Sequence, residues 1–442
     1  MTQTARVLLP YLRKWLPLAV LVGIAAGVGS ILLILSISWT THLLLRGIAG
    51  LNPPLPLGEG PLVVSPAARN WLLPLSTIVG GLILAFLMLG RGGWGIGAAI
   101  ATALSRRRPP FFTWPVALLA AAFTIGSGGS AGREGSAALM CSTVASRLSA
   151  PFRLNEDERR VLMAVGVGAG MSSILRTPIS GALLAAEILY VRGLEWRALF
   201  PGLVASGTGY VVFAAWEGWS PLFAGGPYMH FDEPQSLLWY LVLGVIAGLL
   251  GAAFVLLLDS FRFLARCVPV PRFLATAIGM LGVGFIALHF PQVLGLGYGW
   301  LQLAILGNTD QLAVSTMLLL IPLKAVATTL TMSTHRGGVF APMVFVGGMV
   351  GATMWGLLHA HVGWLPDGPA PLVIVGMLAL FGGVARTPLA AVVIVAEMTR
   401  RAEMVPPAVV AIAVAYFISG RVRLYPEQSR SLGALQNGQS TE

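Results

Sequence analysis

Charge is what this chain lacks most. Of its 442 residues only 10% are Asp, Glu, Lys or Arg, while 56% are hydrophobic. A soluble globular protein carries about 25% charged residues, so a soluble fold is excluded. Cysteine is nearly absent too. Cys141 and Cys267 are the two in the chain, which excludes a disulfide framework or a cysteine metal cluster. Both lie in apolar stretches and are expected to be buried, inert thiols. The six histidines form no site; His359 and His361 are an HxH pair, and positions i and i+2 do not share a helix face. No Walker loop, zinc-helix motif or nucleophile elbow occurs. No enzyme chemistry, cofactor or metal is therefore expected. The glycines follow no Gly-X-Y period, which excludes collagen.

What is present is apolar and glycine-rich, with 54 Gly, 29 Pro and a mean hydropathy of +0.82. Both residues are commoner in membrane helices than in soluble ones. A bilayer span needs roughly 20 apolar residues. Clear candidates lie near 16–38, 71–90, 198–216, 236–258, 273–290 and 312–330. Shorter, Gly-broken segments lie near 115–126, 136–148, 161–172, 178–191, 340–359, 370–382, 388–398 and 405–419. Interrupted helices are a transporter's device for placing backbone polar groups inside a membrane. The net charge of +11 sits largely on bases flanking the spans, such as Arg106, Arg107 and Arg108. That pattern signals topology and lipid headgroups rather than nucleic acid, with the loops at 106–108 and 147–160 cytoplasmic. The Gly- and Pro-rich segments 48–70 and 217–235 read as external loops. The first apolar stretch, Trp15 to Trp39, lacks a small-residue cleavage site and reads as a span, not a removable signal. The expectation is one membrane domain over residues 1–442, with halves at about 16–215 and 236–427 and a polar, frayed tail at 428–442. It leaves no room for a soluble regulatory domain behind it.

The chain repeats itself. Residues 166–188 read GVGAGMSSILRTPISGALLAAEI, and residues 376–398 read GMLALFGGVARTPLAAVVIVAEM. Both carry Arg-Thr-Pro, at Arg176–Pro178 and Arg386–Pro388, and both place a Glu after it, at Glu187 and Glu397. Two halves of common origin explain this. Transporters built from such repeats bind substrate near the midplane between them.

Four motifs carry chemistry. Residues 126–136, GSGGSAGREGS, open an apolar helix and place Arg133 and Glu134 at membrane depth, where ionisable groups are costly and usually functional. A helix starting there aims free N–H groups and the positive end of its dipole at an anion. Glu134 is then a tethered anion competing with a permeating one, released by protonation. The alternative is a buried Arg133–Glu134 ion pair bracing a loop. Residues 337–342, GGVFAP, open a second apolar helix with bare amides and Phe340 as an apolar wall. Pro342 suits a first helical turn. Residues 92–97, GGWGIG, are either a third glycine-lined approach or a close helix contact. Tyr425, after the last apolar run, is either an interfacial anchor or a hydroxyl donor to an anion.

Together and in this order, these motifs resemble the CLC family of chloride channels and proton-coupled anion exchangers. The resemblance runs from about Val20 to Tyr425, with GREG at 132–135 and GGVFAP at 337–342 as its specific parts. It implies an all-α polytopic membrane protein of two inverted halves, with about eighteen tilted, discontinuous helices, a homodimer with one pathway per subunit, prokaryotic in type and without C-terminal CBS domains. It implies that Glu134 is the gating glutamate. The amides of Arg133, Gly135, Val339, Phe340 and Ala341 would bind the anion, and Tyr425 would close the inner side. Four positions depart from the pattern. Trp94 falls where the family's central anion-binding serine would be, and Gly97 where a proline follows it. Ser136 replaces a proline; fluoride-exporting members tend to have Thr there. Ile188 falls on the internal proton-passing glutamate, with Glu187 its neighbour, about 100° away around a helix.

Small inorganic anion transport is the function expected, chloride first and fluoride as the alternative, in the bacterial cell membrane. Ile188 favours a passive channel, while Glu134 and Tyr425 favour exchange for protons. A secondary transporter of organic acids would use Arg133 or Arg336 to bind a carboxylate. An intramembrane enzyme would need a nucleophile and base at membrane depth, and none stands out.

Overall fold

The computed structural model describes residues 3–226, 229–231, 234–267 and 269–431. Among the described residues the regular structure is helical, in two runs of eight α-helices. The first run is α1 (Gln3–Thr41), α2 (Leu73–Leu87), α3 (Ile96–Leu104), α4 (Thr113–Gly126), α5 (Glu134–Leu148), α6 (Glu156–Leu175), α7 (Pro178–Glu187) and α8 (Leu199–Glu217). The second is α9 (Leu237–Cys267), α10 (Arg272–Ala287), α11 (Tyr298–Leu306), α12 (Val314–Thr331), α13 (Phe340–Leu358), α14 (Ala370–Ala385), α15 (Pro388–Thr399) and α16 (Val405–Ile418). Each helix of the first run has a counterpart eight places on. The most extensive helix contacts across the halves join counterparts, α2 to α10 and α7 to α15, and α5 also meets α13.

The Arg-Thr-Pro motif explains how each half turns. Arg176 and Arg386 adopt left-handed backbone, φ 62° and 61°, and end α6 and α14. Thr177 and Thr387 then take extended φ of −129°, as a residue before proline must leave the α region. Pro178 and Pro388 open the next helix, where a missing N–H costs nothing. A non-glycine residue in that left-handed region costs roughly 1–2 kcal/mol. Each arginine side chain is held in compensation by carbonyls at or beyond the end of the next long helix. Arg176 donates to Ser220 O past α8. Arg386 donates to Tyr416 O at 3.1 Å in the last turn of α16, and past it to Gly420 O and to Val422 O at 3.2 Å.

Among the described residues, six helical stretches are long and apolar enough to cross a membrane. They differ from the expected set at two places. The expected span 273–290 is the 16-residue α10, whose C-terminal turn breaks up ahead of Pro291. Residues 340–358, expected as a broken segment, form an unbroken and deeply buried α13. Its glycines serve contact instead of breaking it: a Cβ on Gly347 would lie 2.2 Å from Gly376 O in α14. The counterpart pair α5 and α6 meets the same way, with Gly166 against Cys141 O. Cys141 is buried as expected, but Cys267 is exposed, at the last turn of the 31-residue α9. The expected frayed tail also starts too early. Gln428 and Ser429 are buried, and Gln428 Nε2 donates to Ile188 O and Ala385 O at 3.1 Å. A polar stretch is held here because it satisfies carbonyls at the ends of α7 and α14. Residues 432–442 lie outside the described ones.

Candidate functional site

Four short-loop helix starts converge near the centre of the chain: those of α3, α5, α11 and α13. They are two counterpart pairs, α3 with α11 and α5 with α13. Gly132 N donates to Gly338 O at 2.7 Å, and Trp94 N donates to Arg336 O at 2.8 Å. A Cβ on Gly135 would lie 2.9 Å from Gly95 Cα and 3.2 Å from Gly338 Cα. Only glycine allows three backbones to come this close. First-turn N–H groups have no intrahelical acceptor, and each helix start carries about half a positive charge. The junction is therefore an anion-attracting centre made of backbone.

Glu134, the first residue of α5, lies in this junction with its side chain wholly buried. The Tyr298 hydroxyl donates to its Oε1 at 2.5 Å. Its Oε2 is buried and meets no hydrogen-bond partner. A Cβ on Gly132 would lie 2.5 Å from that Oε2 and 2.9 Å from the Ala341 nitrogen. Gly132 is thus what lets the carboxylate of one half sit beside a first-turn amide of the other. Of the expected amide set, Arg133 and Gly135 at the start of α5 and Val339, Phe340 and Ala341 at the start of α13 are brought to this one junction. Phe340 is fully buried and packs edge-on against Phe381 at 4.6 Å.

Arg133 does not pair with Glu134. Its guanidinium is bound to Glu59 in a buried ion pair, with a second contact from Nη1 to Oε2 at 3.2 Å. The Arg133 Cζ also stands 5.8 Å from the Tyr298 ring centroid. Glu59 comes from the loop before α2, which is pinned by Gly58 N donating to Leu222 O at 3.2 Å. So the segment 48–70, expected as an external loop, folds back over the Glu134 side of the junction.

Trp94, Tyr425 and Glu427 also gather here, Trp94 against Gly337 and Glu427 against Gly97. Trp94 is 1% exposed, with its indole against Gly337: a Cβ there would lie 2.5 Å from Trp94 Cζ2. Its Nε1 is buried without a partner, as is the Tyr425 hydroxyl. Each orphan donor costs about 1–3 kcal/mol unless something accepts from it. The Tyr425 hydroxyl lies within electrostatic reach of Glu134 and Glu427. Ser136 donates to Ala117 O at 3.0 Å and to Trp94 O at 3.3 Å, tying α5 to α4 and to the GGWGIG turn.

Ile188 is fully buried, and its carbonyl accepts from Gln428. Glu187 is occupied elsewhere. Its two oxygens accept from Leu389 N at 3.1 Å and Ala390 N at 2.9 Å, at the start of α15. Glu397 does the same in reverse, accepting from Ile179 N at 2.8 Å and Ser180 N at 2.7 Å, at the start of α7. The Arg-Thr-Pro repeats thus cap each other. Proline takes the first helical position, and the partner's glutamate takes the next two N–H groups.

Four residues of this region were not singled out in the sequence: Tyr298, Glu59, Glu427 and Lys324. The repeat holds a signal for Tyr298, since GLGYGW at 295–300 opens α11 as GGWGIG opens α3. Lys324, fully buried in α12, donates to Val293 O and Gly295 O at 2.8 Å and lies 4.9 Å from the Phe345 ring. It fixes the turn that delivers Tyr298. Among the described residues no group of His, Cys, Asp and Glu is placed to hold a metal.

A family model described as "voltage gated chloride channel" matches residues 75–420. A chloride/fluoride channel protein of Pseudomonas syringae pv. tomato is 28% identical, over 95% of this chain and 87% of its own. An H(+)/Cl(-) exchange transporter of Salmonella paratyphi B is 30% identical, over 75% of this chain and 72% of its own. Among solved structures, a CLC-type fluoride/proton antiporter superposes with a TM-score of 0.76 at 24% identity, over 97% of this chain and 99% of that one. A slow cyanobacterial Cl-/H+ antiporter gives 0.77 at 20% identity, over 97% of each. These two likenesses speak for the fold.

Proposed function

The chain belongs to the voltage gated chloride channel family, and from that premise we propose that it carries small inorganic anions through the bilayer along a path closed by the Glu134 carboxylate. It is a polytopic membrane protein of the family's all-helical fold, and the relatives named above are channels and exchangers, not enzymes. One observation carries the gate. Glu134 Oε2 is a buried, partnerless oxygen at the meeting of helix starts from both halves. A carboxylate there occupies the place an anion would take. Protonation removes its charge from beside the amides, and leaves them to the permeant ion. The orphan donors Trp94 Nε1 and Tyr425 OH continue the route from there. Chloride is the substrate we assign, with fluoride second; the names of the relatives support both.

Because the gate is itself a proton site, exchange of anions for protons is the reading we favour. A passive channel is the second reading. Ile188 favours it, as does Glu187, whose oxygens are both spent on the start of α15. Organic acid transport has less support, since Arg133 and Arg336 each already hold a carboxylate, of Glu59 and Glu427. We place the chain in the bacterial cell membrane as one membrane domain of two halves, about 16–215 and 236–427, assembled as a homodimer. Exposed apolar residues at the α7–α15 crossing, Ile179 and Leu389, support a lipid- or subunit-facing surface there.

The test is to record anion efflux and internal pH together from liposomes. Protons moving against their gradient as chloride leaves support exchange. Chloride or fluoride efflux without protons supports the channel. No efflux of either anion would overturn the proposal.

A further inference from the structure

Ile188 cannot carry a proton, which leaves the pathway without the acid that the family pattern has at that position. Among the described residues, two carboxylate oxygens are buried without a partner: Glu134 Oε2 and Glu427 Oε2. Glu187 and Glu397 are excluded, because both oxygens of each accept backbone N–H groups. Glu427 sits two residues beyond Tyr425 and is bound through Oε1 to Arg336. Its Oε2 is turned to the start of α3, where a Cβ on Gly97 would lie 2.9 Å away. Gly97 stands at the position where the family pattern has proline, and a proline ring there would collide with this carboxylate. The groups facing Glu427 are few. Arg336 comes from the turn before α13. Arg262 of α9 lies within electrostatic reach and is itself bound to Asp259 at 3.1 Å. The Tyr425 hydroxyl lies within reach of both Glu427 and Glu134, and α3 presents no charge at Gly97.

We infer that Glu427 is a second proton-binding group of the pathway, exchanging protons with the solution on the Arg336 side and supplying Glu134. A proton from solution bonds to Glu427 Oε2 and gives the neutral acid. That O–H bond then breaks as an O–H forms on Glu134 Oε2. The Tyr425 hydroxyl bonds to neither carboxylate in this structure, so the transfer requires it to turn between them, accept one proton and donate another, and end unchanged. Glu427 returns to its carboxylate and its bond with Arg336. The inference rests on the exchange reading of the proposed function.

The experiment compares anion efflux and proton movement in liposomes for the wild-type chain, Glu427→Gln, Glu427→Asp and the double variant Glu427→Gln/Arg336→Gln. A positioned proton-transfer group contributes roughly a hundredfold, so proton movement in Glu427→Gln should fall by about that factor while anion efflux persists. Glu427→Asp should restore part of it. The double variant removes the unpaired guanidinium as a cause, and it should stay uncoupled. Coupling that survives in Glu427→Gln, or that returns in the double variant, would overturn the inference and leave the exchange reading standing. A wild-type chain that moves anions with no protons would overturn both.

Discussion

Glu187 and Glu397 lie at one place where the two halves meet, and Glu134 lies at another. All three carboxylates are aimed at a helix start belonging to the opposite half. At the α7–α15 crossing each carboxylate has both oxygens on backbone N–H groups, and the arrangement is reciprocal. At the junction of α5 and α13 one oxygen is held by Tyr298 and the other by nothing, and the α13 side offers amides without an acid of its own. The same chemistry, an anion on a helix N-terminus, is thus saturated in one region and half satisfied in the other. Saturation makes a brace. An unsaturated group, in a site shaped for an anion, makes a part that can leave.

Ways to break that contrast follow. Glu187→Ala strips a charged acceptor from two buried N–H groups, so it should destabilise the fold by about 3 kcal/mol. A lowered thermal midpoint in detergent, with the pH dependence of transport in the surviving protein unchanged, checks this. Tyr298→Phe removes the hydrogen bond that favours the ionised Glu134. Such a bond to a charged group is worth about 1.5 kcal/mol, or roughly one pH unit. The half-maximal pH of anion efflux should therefore move up by that amount. Trp94→Phe keeps the ring packed on Gly337 but removes the orphan N–H. Chloride affinity measured by calorimetry should weaken about fivefold, near 1 kcal/mol. The smallest effect lies outside the membrane. Burial raises the Glu158 carboxyl, but the Lys14 hydrogen bond at 2.5 Å, the Asn155 backbone N–H and the Lys14 charge outweigh it and hold it below the usual range. That contribution is present above the ordinary glutamate range and lost as pH falls through the lowered value. As an exposed pair it is worth about 0.5 kcal/mol, so Lys14→Met should flatten the acid-side loss of thermal stability slightly.

Much of this was legible in the sequence where the signal is local. Left-handed Arg, extended Thr and helix-opening Pro are written in three consecutive residues, so the repeat and its turns could be read directly. Glycine before an apolar run marks a helix start, which is why the starts of α3, α5 and α13, beside Trp94, Glu134 and Phe340, could be read. The reciprocal caps were not legible, although Glu187 and Glu397 were both noticed, because a cap between halves depends on how the halves cross. Arg133 was set against its neighbour Glu134, yet its partner is Glu59, 74 residues earlier. Tyr298, Lys324 and Glu427 were missed for the same reason. Each is unremarkable beside its sequence neighbours and gains meaning from an atom contributed by another helix. The tail at Gln428 was misjudged because a polar side chain was taken for solvent exposure, when two orphan helix-end carbonyls were waiting for its amide.

The claim that Glu134 is the moving part is tested most directly by chloride efflux from liposomes across a pH series, with Glu134→Gln and Glu187→Gln measured beside the wild-type chain. Glu134→Gln should carry chloride at a rate independent of pH, and Glu187→Gln should keep the wild-type profile. A Glu134→Gln chain that retains the wild-type pH profile would contradict the account.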